Sequence, residues 1–579
     1  MSMRGVFRDG ARLRSWRKGA FVCSLLAAGL AVGPALAHSN SNFNFGPFYF
    51  PFWGHDFNYS GHHHDNDSNP PTVNTVEGQV RGYTKNGVNI FLGIPYAAPP
   101  VGDLRWQPPQ PVQKWRSTLD ATEFGPTCPQ VTELGAFAGP TSINEDCLYL
   151  NVFTTGKDRT KKPVLVWIYG GANEDGESND YDGSKLATGG PNGQDTVVVT
   201  LNYRIGILGF FSNPAINAEK HLNVNYGILD QQAVLRWVQR NIAAFGGDPS
   251  NVTLGGQSAG AYNTQANLIS PYAKGLFQRA ILQSYPATTW LTAATTLTRG
   301  TNFGVASGCA GSDAAAAKCL RKLSAARVLQ LQGTPNTTTA YLAQVTVDGN
   351  VIPSQPDDAW KTGNFNKMPI MTGDVHDEGN FTVGINEYFS SPQAPMTSDQ
   401  YLAKVTGAAL DQYPLANYGS PNLAYNAYGS DPQACLTLHV VKELASLVPV
   451  YAYEFNYQKA PYHFPQMPGY IPLATHTSDI QFLFPGYHGG ILGVNIDQTT
   501  GQPREISGQE IALSDQLVAA WTNFAKTGNP NGSGNSPWPK FTADAQSFYS
   551  QNVPTSSVYA ADAYAADHKC AYWNPIRGY

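Results

Sequence analysis

Residues 251–260 read Asn-Val-Thr-Leu-Gly-Gly-Gln-Ser-Ala-Gly, and the rest of the chain is organised around them. The first residues of this stretch favour a β-strand, and those from Ala259 onward favour a helix. Ser258 lies between them in a Gly-x-Ser-x-Gly pattern, which predicts a strand, a sharp turn and a helix with serine at the apex. The backbone of such a turn is crowded, and Gly256 and Gly260 leave free the room that side chains would fill.

A serine at this apex can act as a nucleophile. The turn presents the Ser258 hydroxyl to solvent, and the amide N–H of Ala259, at the start of the helix, is free to face a developing negative charge. We therefore predict that Ser258 is a nucleophile and that Ala259 helps to hold an oxyanion. A plain strand-to-helix turn is the alternative for this motif.

Strand-forming and helical segments alternate along the chain. Residues 163–169 are continuously apolar, as in a strand covered on both faces. Further strands are predicted over 196–201, 252–254, 279–283, 368–372 and 450–455, a hairpin over 76–83 and 88–92, and helices over 227–245 and 510–526. This order predicts an α/β fold: a large, mostly parallel central sheet with helices on both faces, decorated by helical insertions over 290–365 and 385–445.

The N-terminal part reads as segments outside this fold. Residues 1–37 have a basic start, an apolar run at 20–32 and a small-x-small site ending at Ala37, which is typical of a secretory signal peptide. An uncleaved anchor is the alternative. Residues 38–71 are rich in Asn, His and aromatics, and we interpret them as a disordered linker, with metal binding by its histidines as the alternative. The folded α/β domain is expected over 72–579, in a secreted protein of the periplasm or the exterior.

The charge of the mature chain argues against several classes of partner. The full chain has 37 basic and 42 acidic residues. Removal of 1–37 takes away six basic residues and Asp9, which leaves 31 basic against 41 acidic residues, a net charge of −10. We therefore expect no binding to nucleic acid or to a membrane.

Six cysteines remain after the signal peptide, an even number that suggests disulfides in an exported chain. They have no C-x-x-C spacing, so no zinc site is expected. Sequence proximity favours Cys128–Cys147 and Cys309–Cys319, which leaves Cys435–Cys570.

A nucleophilic serine needs a base, and the base needs an orienting carboxylate. Candidate bases after the serine are His376, His439, His463, His476, His488 and His568. His476 precedes an apolar run, a placement that suits a fixed base. The strand at 368–372 leads to three candidate acids, Asp374, Asp377 and Glu378, and their chemistry alone does not choose between them.

A second source of oxyanion donors follows the strand at 163–169. Tyr169-Gly170-Gly171-Ala172 lacks bulky side chains after its first residue, so its backbone can approach a substrate carbonyl. Gly171 and Ala172 are the predicted donors, and an ordinary glycine turn is the alternative.

Several further segments fit one family. They are Phe-Leu-Gly-Ile-Pro-Tyr-Ala at 91–97, Glu-Asp-Cys-Leu-Tyr-Leu-Asn-Val at 145–152, Asn-Tyr-Gly-Ile-Leu-Asp-Gln-Gln at 225–232 and Phe-Gly-Gly-Asp-Pro at 245–249. With the serine motif, they make the chain resemble the type-B carboxylesterases and lipases, from about Val76 to Trp573. The resemblance implies the α/β-hydrolase fold, with helical insertions over the active site.

The resemblance also assigns roles. The family's nucleophile, acid and base fall on Ser258, Glu378 and His476, with Asp479 as a neighbouring partner of the base. The reaction needs no cofactor and no metal. The first two predicted disulfides look like those of the family, and Cys435–Cys570 lies where cholinesterases carry a third.

Three residues near the site depart from the family or shape its pocket. Asn173 stands where an aromatic is usual and opens an acidic loop, 173–180, which we expect to be solvated, with a calcium site as the alternative. Tyr285 replaces a usual glycine near the acyl pocket, and Trp290 matches an aromatic that shapes this pocket. The Cys128–Cys147 loop contains no tryptophan, so no choline preference is expected.

The sequence thus predicts a secreted serine carboxylic-ester hydrolase that works through an acyl-Ser258 intermediate on small soluble esters. A monomer is expected. A lipase for longer or unusual esters is the alternative, although residues 133–139 are short and only mildly apolar for a lid. A non-catalytic adhesion protein of the same fold is the other alternative, but such proteins usually lose the serine or the histidine.

Overall fold

The central sheet, seen in a computed structural model, has eleven strands within the described residues. These residues are 70–131, 139–156, 161–284, 287–332, 343–490, 493–533 and 535–579. The strands lie in the order Ser557–Ala560, Ser547–Gln551, Val450–Phe455, Ile370–Val375, Arg279–Gln283, Gly247–Gln257, Lys162–Ile168, Val197–Leu201, Tyr149–Thr155, Val88–Pro95 and Tyr83–Lys85. The second to the eighth strand are parallel to one another, so the mostly parallel sheet is confirmed.

Helices surround this sheet. Within the described residues they are Ser184–Thr188, Gly206–Gly209, Pro214–Asn217, Tyr226–Asn241, Ala259–Ile269, Ala293–Ala306, Ala314–Lys322, Ala325–Gln332, Pro356–Thr362, Asn380–Tyr388, Ser398–Lys404, Ala408–Gln412, Pro421–Ala445, Ile480–Leu483, Gln509–Thr527, Ala561–Asp567 and Cys570–Arg577. Residues 290–365 and 385–445 contain seven of them, as predicted for helical insertions. None of the helices in the described part of the chain combines the length and hydropathy that a membrane span requires.

The predicted helix ends follow from local sequence. Tyr226–Asn241 continues as a 3-10 turn, Ile242–Phe245, and ends at Gly246, whose φ of 85° is in the left-handed region that glycine tolerates. Gln509–Thr527 ends in the same way at Gly528, with a φ of 78°. Both helices match the predicted ones to within a few residues.

The predicted N-terminal hairpin is only partly present. Tyr83–Lys85 pairs with Val88–Pro95 around a tight turn in which Asn86 and Gly87 both have positive φ. Gln79–Arg81 was expected in the same strand, but it pairs instead with Thr72–Asn74 and Leu119–Asp120 in a separate sheet. The strand breaks at Gly82, where a Cβ would overlap the Ile90 carbonyl oxygen.

All three predicted disulfides are formed. The Cα–Cα distances are 5.0 Å for Cys128–Cys147, 5.5 Å for Cys309–Cys319 and 5.3 Å for Cys435–Cys570. The third ties the helix Pro421–Ala445 to the last helix. Three disulfides are consistent with an exported protein. The predicted signal peptide and nearly all of the linker 38–71 lie outside the described residues, so both stay predictions.

Candidate active site

The strand Gly247–Gln257 and the helix Ala259–Ile269 are joined by Ser258 alone. Ser258 has φ 55° and ψ −124°, a conformation that non-glycine residues rarely adopt. A Cβ on Gly256 would lie 2.5 Å from the Ile168 carbonyl oxygen, and one on Gly260 would overlap the same atom. The predicted strand, sharp turn and helix are therefore present, and both glycines are needed for the turn.

Hydrogen bonds hold this turn on both sides. The Ser258 amide donates to the Gln283 carbonyl on the neighbouring strand at 2.9 Å, and the Ser258 carbonyl accepts from the Tyr262 amide at 3.0 Å. Ser258 itself is partly exposed. Its hydroxyl thus lies on a rigid backbone at the carboxyl end of a parallel strand, where ligands reach sheets of this kind.

His476 and Glu378 meet at the same end of the sheet. Glu378 follows the strand Ile370–Val375, and His476 lies on the loop before the short helix Ile480–Leu483. His476 Nδ1 is hydrogen-bonded to Glu378 Oε2, while Glu378 Oε1 accepts from the Val375 amide at 3.1 Å. Because a carboxylate only accepts, Nδ1 carries the proton and Nε2 is left able to take one.

The competing carboxylates have other partners. Asp374 accepts a hydrogen bond from Thr437, and its burial raises its pKa well above the usual range. Asp377 accepts from Asn426 Nδ2 at 2.7 Å. Of the three candidate acids, only Glu378 is bonded to His476 in the described structure, which is the choice that the residues alone left open.

The environment of His476 favours its charged form. Burial alone would lower the pKa of His476, but the charge and hydrogen bond of Glu378 outweigh burial, and the net pKa is raised. Asp479 lies near by without a hydrogen bond to the ring. Burial and the charge of Glu378 raise the pKa of Asp479 to about 6, and its carboxylate accepts from Gln283 Nε2 at 2.9 Å.

Gln257, directly before the serine, is a contact that sequence reasoning missed. Its side-chain Nε2 lies 3.2 Å from His476 Nε2, so the amide donates to the unprotonated ring nitrogen. The variable positions of Gly-x-Ser-x-Gly carry no fixed residue type, so the motif gave no signal for it. The contact places the free nitrogen of His476 beside the residue that adjoins Ser258.

The predicted oxyanion turn also approaches the serine. A Cβ on Gly170 would lie 3.0 Å from Ser258 Cβ, and one on Gly171 would overlap the Asp175 carbonyl oxygen. Gly171 and Ala172 have φ of 105° and 56°. Among the described residues, none accepts a hydrogen bond from these two amides. Ala259 is the first residue of its helix, where an amide has no partner within the helix.

Asn173, which the sequence places near the substrate pocket, has its side chain turned into the protein interior. Its side chain is 2% exposed, and Oδ1 accepts from Asn263 Nδ2 at 2.8 Å and from the Tyr203 hydroxyl at 3.3 Å. Its φ of 61° suits asparagine, which tolerates the left-handed region better than most residues. Asn173 therefore holds the oxyanion turn from the protein side.

The acidic loop 173–180 is buried, so the expectation of a solvated loop was wrong. Asp175 is 0% and Glu177 is 3% exposed. Glu177 accepts hydrogen bonds from Thr127 and, at 3.0 Å, from Asn179, while burial raises its pKa. The Glu177 carboxylate is therefore bonded by Thr127, 50 positions away in sequence, and by Asn179 of the same loop.

Of the other residues predicted near the pocket, the structure describes Trp290. Tyr285 and residues 133–138, where a lid was considered, lie outside the described residues. Trp290 is 6% exposed, and its ring centroid lies 5.6 Å from that of Tyr262, on the first turn of the helix after the serine. Phe381, which sequence reasoning did not single out, lies edge-on to His476 with ring centroids 5.4 Å apart.

The chain is similar to several known esterases. The model of the carboxylesterase family matches residues 69–573. Carboxylesterase 1E of Mus musculus is 33% identical, over 82% of this chain and 89% of its own. Liver carboxylesterase 1 of Oryctolagus cuniculus is 32% identical, over 90% and 94%. A solved PNB esterase structure is 30% identical with a TM-score of 0.69, covering 87% of this chain and 100% of its own.

Proposed function

Because the chain belongs to the carboxylesterase family and is therefore a carboxylic ester hydrolase, we propose that it works as a secreted serine esterase with Ser258 as nucleophile. The observation that supports this mechanism best is the hydrogen bond between His476 Nδ1 and Glu378, with Nε2 turned to the residue beside Ser258. It supplies a base in the correct tautomer next to a strained serine.

In the first half of the reaction, Ser258 Oγ attacks the ester carbonyl carbon while His476 Nε2 takes the hydroxyl proton. For this step the Gln257 side-chain amide must release His476 Nε2 or share it with the Ser258 hydroxyl. The amides of Gly171, Ala172 and Ala259 stabilise the oxyanion, and each such donor contributes about 2.7–4 kcal/mol in related sites. His476 then gives its proton to the leaving alcohol, and an acyl-Ser258 ester remains.

In the second half, water attacks the acyl-Ser258 carbonyl and gives a proton to His476 Nε2. The same amides hold the second oxyanion. His476 returns the proton to Ser258 Oγ, and the carboxylic acid leaves. Glu378 stays ionised, fixes the ring and stabilises the imidazolium that forms in each half.

We place the substrate among small, soluble esters of the exterior or the periplasm. The short, mildly apolar segment 133–139 favours them over long-chain lipids. The disulfides and residues 1–37 support export. We assign Trp290 to the pocket wall because it packs on Tyr262, one helical turn after Ser258, and we keep Tyr285 in the wall from its sequence position.

The direct test is Ser258→Ala assayed with p-nitrophenyl acetate and butyrate, together with labelling by a fluorophosphonate probe. We expect turnover to fall to background and labelling to be lost, with an unchanged thermal transition. Wild-type turnover by the variant, or labelling at another residue, would show that a different nucleophile is used. A panel of esters with graded acyl and alcohol size would then define the substrate class.

A further inference from the structure

Two histidines and a glutamate converge in the interior close to the acid loop. His376 follows the strand Ile370–Val375, Glu454 lies on the neighbouring strand, and His568 follows the helix Ala561–Asp567. One ligand atom from each lies within 4.8 Å of the other two. His568 and Glu454 are 1% and 2% exposed. The ester reaction proposed above uses none of these three side chains.

We propose that His376, Glu454 and His568 bind one divalent transition-metal ion of the Zn²⁺ type. Two imidazoles and one carboxylate are a donor set that suits this class of ion. His568 Nε2 and Glu454 Oε1 lie 2.6 Å apart in a direct hydrogen bond, which a bound ion would replace by moving the two atoms slightly apart. The site would be a structural clamp between two sheet strands and the C-terminal helices, beyond the ester hydrolysis itself.

The surroundings orient these ligands as metal sites require. His568 Nδ1 lies 3.1 Å from Asp431 Oδ1, and His376 Nδ1 lies 3.2 Å from Asp377 Oδ2. Both carboxylates are buried. The His568 ring thus has Nδ1 on a carboxylate and turns Nε2 toward Glu454, the usual outer arrangement of a metal-bound histidine. His376 Nδ1 makes an ionic contact with Asp377 and, among the described residues, no hydrogen bond.

The third ligand is fixed as well. Glu454 Oε2 accepts from Asn456 Nδ2 at 3.0 Å and from the Tyr559 hydroxyl, so Oε1 is held toward His568. These contacts leave no freedom for the carboxylate to turn away from the two imidazoles.

A fourth position faces solvent. Asp567 Oδ2 lies 3.3 Å from His376 Nε2, and the Asp567 side chain is 62% exposed. It can supply a fourth oxygen or give way to water, and it marks the route by which an ion enters. The cluster thus provides three protein ligands of suitable type and an entry path, two of the features that a metal site needs.

The rings of His376 and His568 also lie close together, with their centroids 5.1 Å apart. Both imidazoles are therefore near enough to contribute to one site.

The test uses the full chain, purified without a histidine tag and stripped with chelator. Its background carries His62→Ala, His63→Ala and His64→Ala, because the histidine-rich segment would bind metal by itself. Zn²⁺ is titrated by calorimetry, and Co²⁺ is added to record visible absorption. We expect one Zn²⁺ per chain and a Co²⁺ spectrum of low coordination number.

His568→Gln is expected to weaken Zn²⁺ binding by at least the roughly 10–100-fold that loss of an outer partner costs in known sites. His376→Gln, at a partly exposed position, should do the same and covers the case in which His568→Gln does not fold. His439→Gln is the matched control, since His439 lies near Asp357 and Glu443 in a separate, more exposed cluster. The proposal is overturned if the parent protein binds no Zn²⁺. It is also overturned if His376→Gln leaves the Zn²⁺ affinity unchanged.

Discussion

Glu378→Gln preserves the size of the side chain and removes its charge. A hydrogen bond to a charged group contributes about 1.5–3 kcal/mol. If the variant lost only this stabilisation of the cationic His476 in the transition state, the activation barrier would rise by the same roughly 1.5–3 kcal/mol. Each 1.36 kcal/mol of barrier lowers the rate about tenfold, so the rate would fall roughly 10–150-fold.

The structure predicts a larger loss because of the Val375 amide. This amide donates to Glu378 Oε1 and will keep the carbonyl oxygen of a glutamine. The glutamine NH₂ group then faces His476 Nδ1, which must give up its proton to accept. The proton moves to Nε2, the wrong tautomer for a base. The equivalent amide exchange in a serine-protease triad lowers kcat about 10⁴-fold, and we expect about 10³–10⁴-fold here.

The assay is kcat/KM for p-nitrophenyl butyrate across pH 5–9. Activity needs neutral His476, so wild-type kcat/KM should rise with pH through a pKa above the ordinary value for histidine, the direction that Glu378 imposes. In Glu378→Gln burial is opposed only by the smaller effect of the Asp479 charge, so the pKa of His476 should fall and the residual activity should rise at lower pH. Asp479→Asn is the matched control, a buried carboxylate near His476 without a hydrogen bond to the ring, and should cost far less. If Glu378→Gln retains most of the wild-type activity, or its profile moves to higher pH, the assigned role of Glu378 is wrong.

Four further changes test other parts of the fold and site. Asn173→Ala leaves the buried Asn263 amide without its hydrogen-bond acceptor, which costs about 1–3 kcal/mol of folding stability. The oxyanion turn is then held less firmly, so kcat should fall with little change in KM. Gly260→Ala overlaps the Ile168 carbonyl and should fail to give soluble, active protein, whereas retained activity would contradict the crowded turn. The double variant Cys435→Ser/Cys570→Ser should lose about 2–5 kcal/mol of unfolding free energy in a denaturant titration. Trp290→Ala should raise kcat/KM for longer acyl chains relative to acetate, and an unchanged acyl profile would remove Trp290 from the pocket.

The serine turn was predictable because its causes are local. Gly256, Ser258 and Gly260 lie within five residues, and one carbonyl oxygen explains why both glycines lack side chains. The strand Lys162–Ile168 was predicted equally well from the apolar run at 163–169. A short run of continuously apolar residues is typical of a strand that is buried on both faces.

The base and the acid were not predictable from the residues themselves. His476 and Glu378 lie 98 positions apart, and their contact depends on how two loops meet at the edge of the sheet. A bridge between Asp377 and Thr475 and hydrogen bonds between Asp377 and Ala474 join the two loops. No local pattern encodes such a bridge, so the resemblance to a family supplied what composition and spacing lacked.

The buried acidic loop failed as a prediction for a related reason. A run of Asn, Glu, Asp and Ser reads as solvated unless its partners are known, and here they come from residues far away in sequence. Gln130, for example, exchanges two hydrogen bonds of 2.9 Å with Gly176, 46 positions away. Burial of polar groups is costly without such partners, so the partners decide where the loop lies.

These contacts make the helix Ala259–Ile269 the element that holds the parts of the site in register. Its first residue, Ala259, directly follows Ser258. Asn263 on this helix is hydrogen-bonded to Asn173 in the oxyanion turn, and Tyr262 packs on Trp290. The proposed nucleophile, oxyanion donors and pocket wall are thus all attached to one helix rather than to three separate loops. Stabilisation of an oxyanion depends on donors that need no rearrangement when charge develops. In the proposed mechanism, the buried Asn173 therefore contributes to the reaction by holding the oxyanion turn in place and not by contacting the substrate.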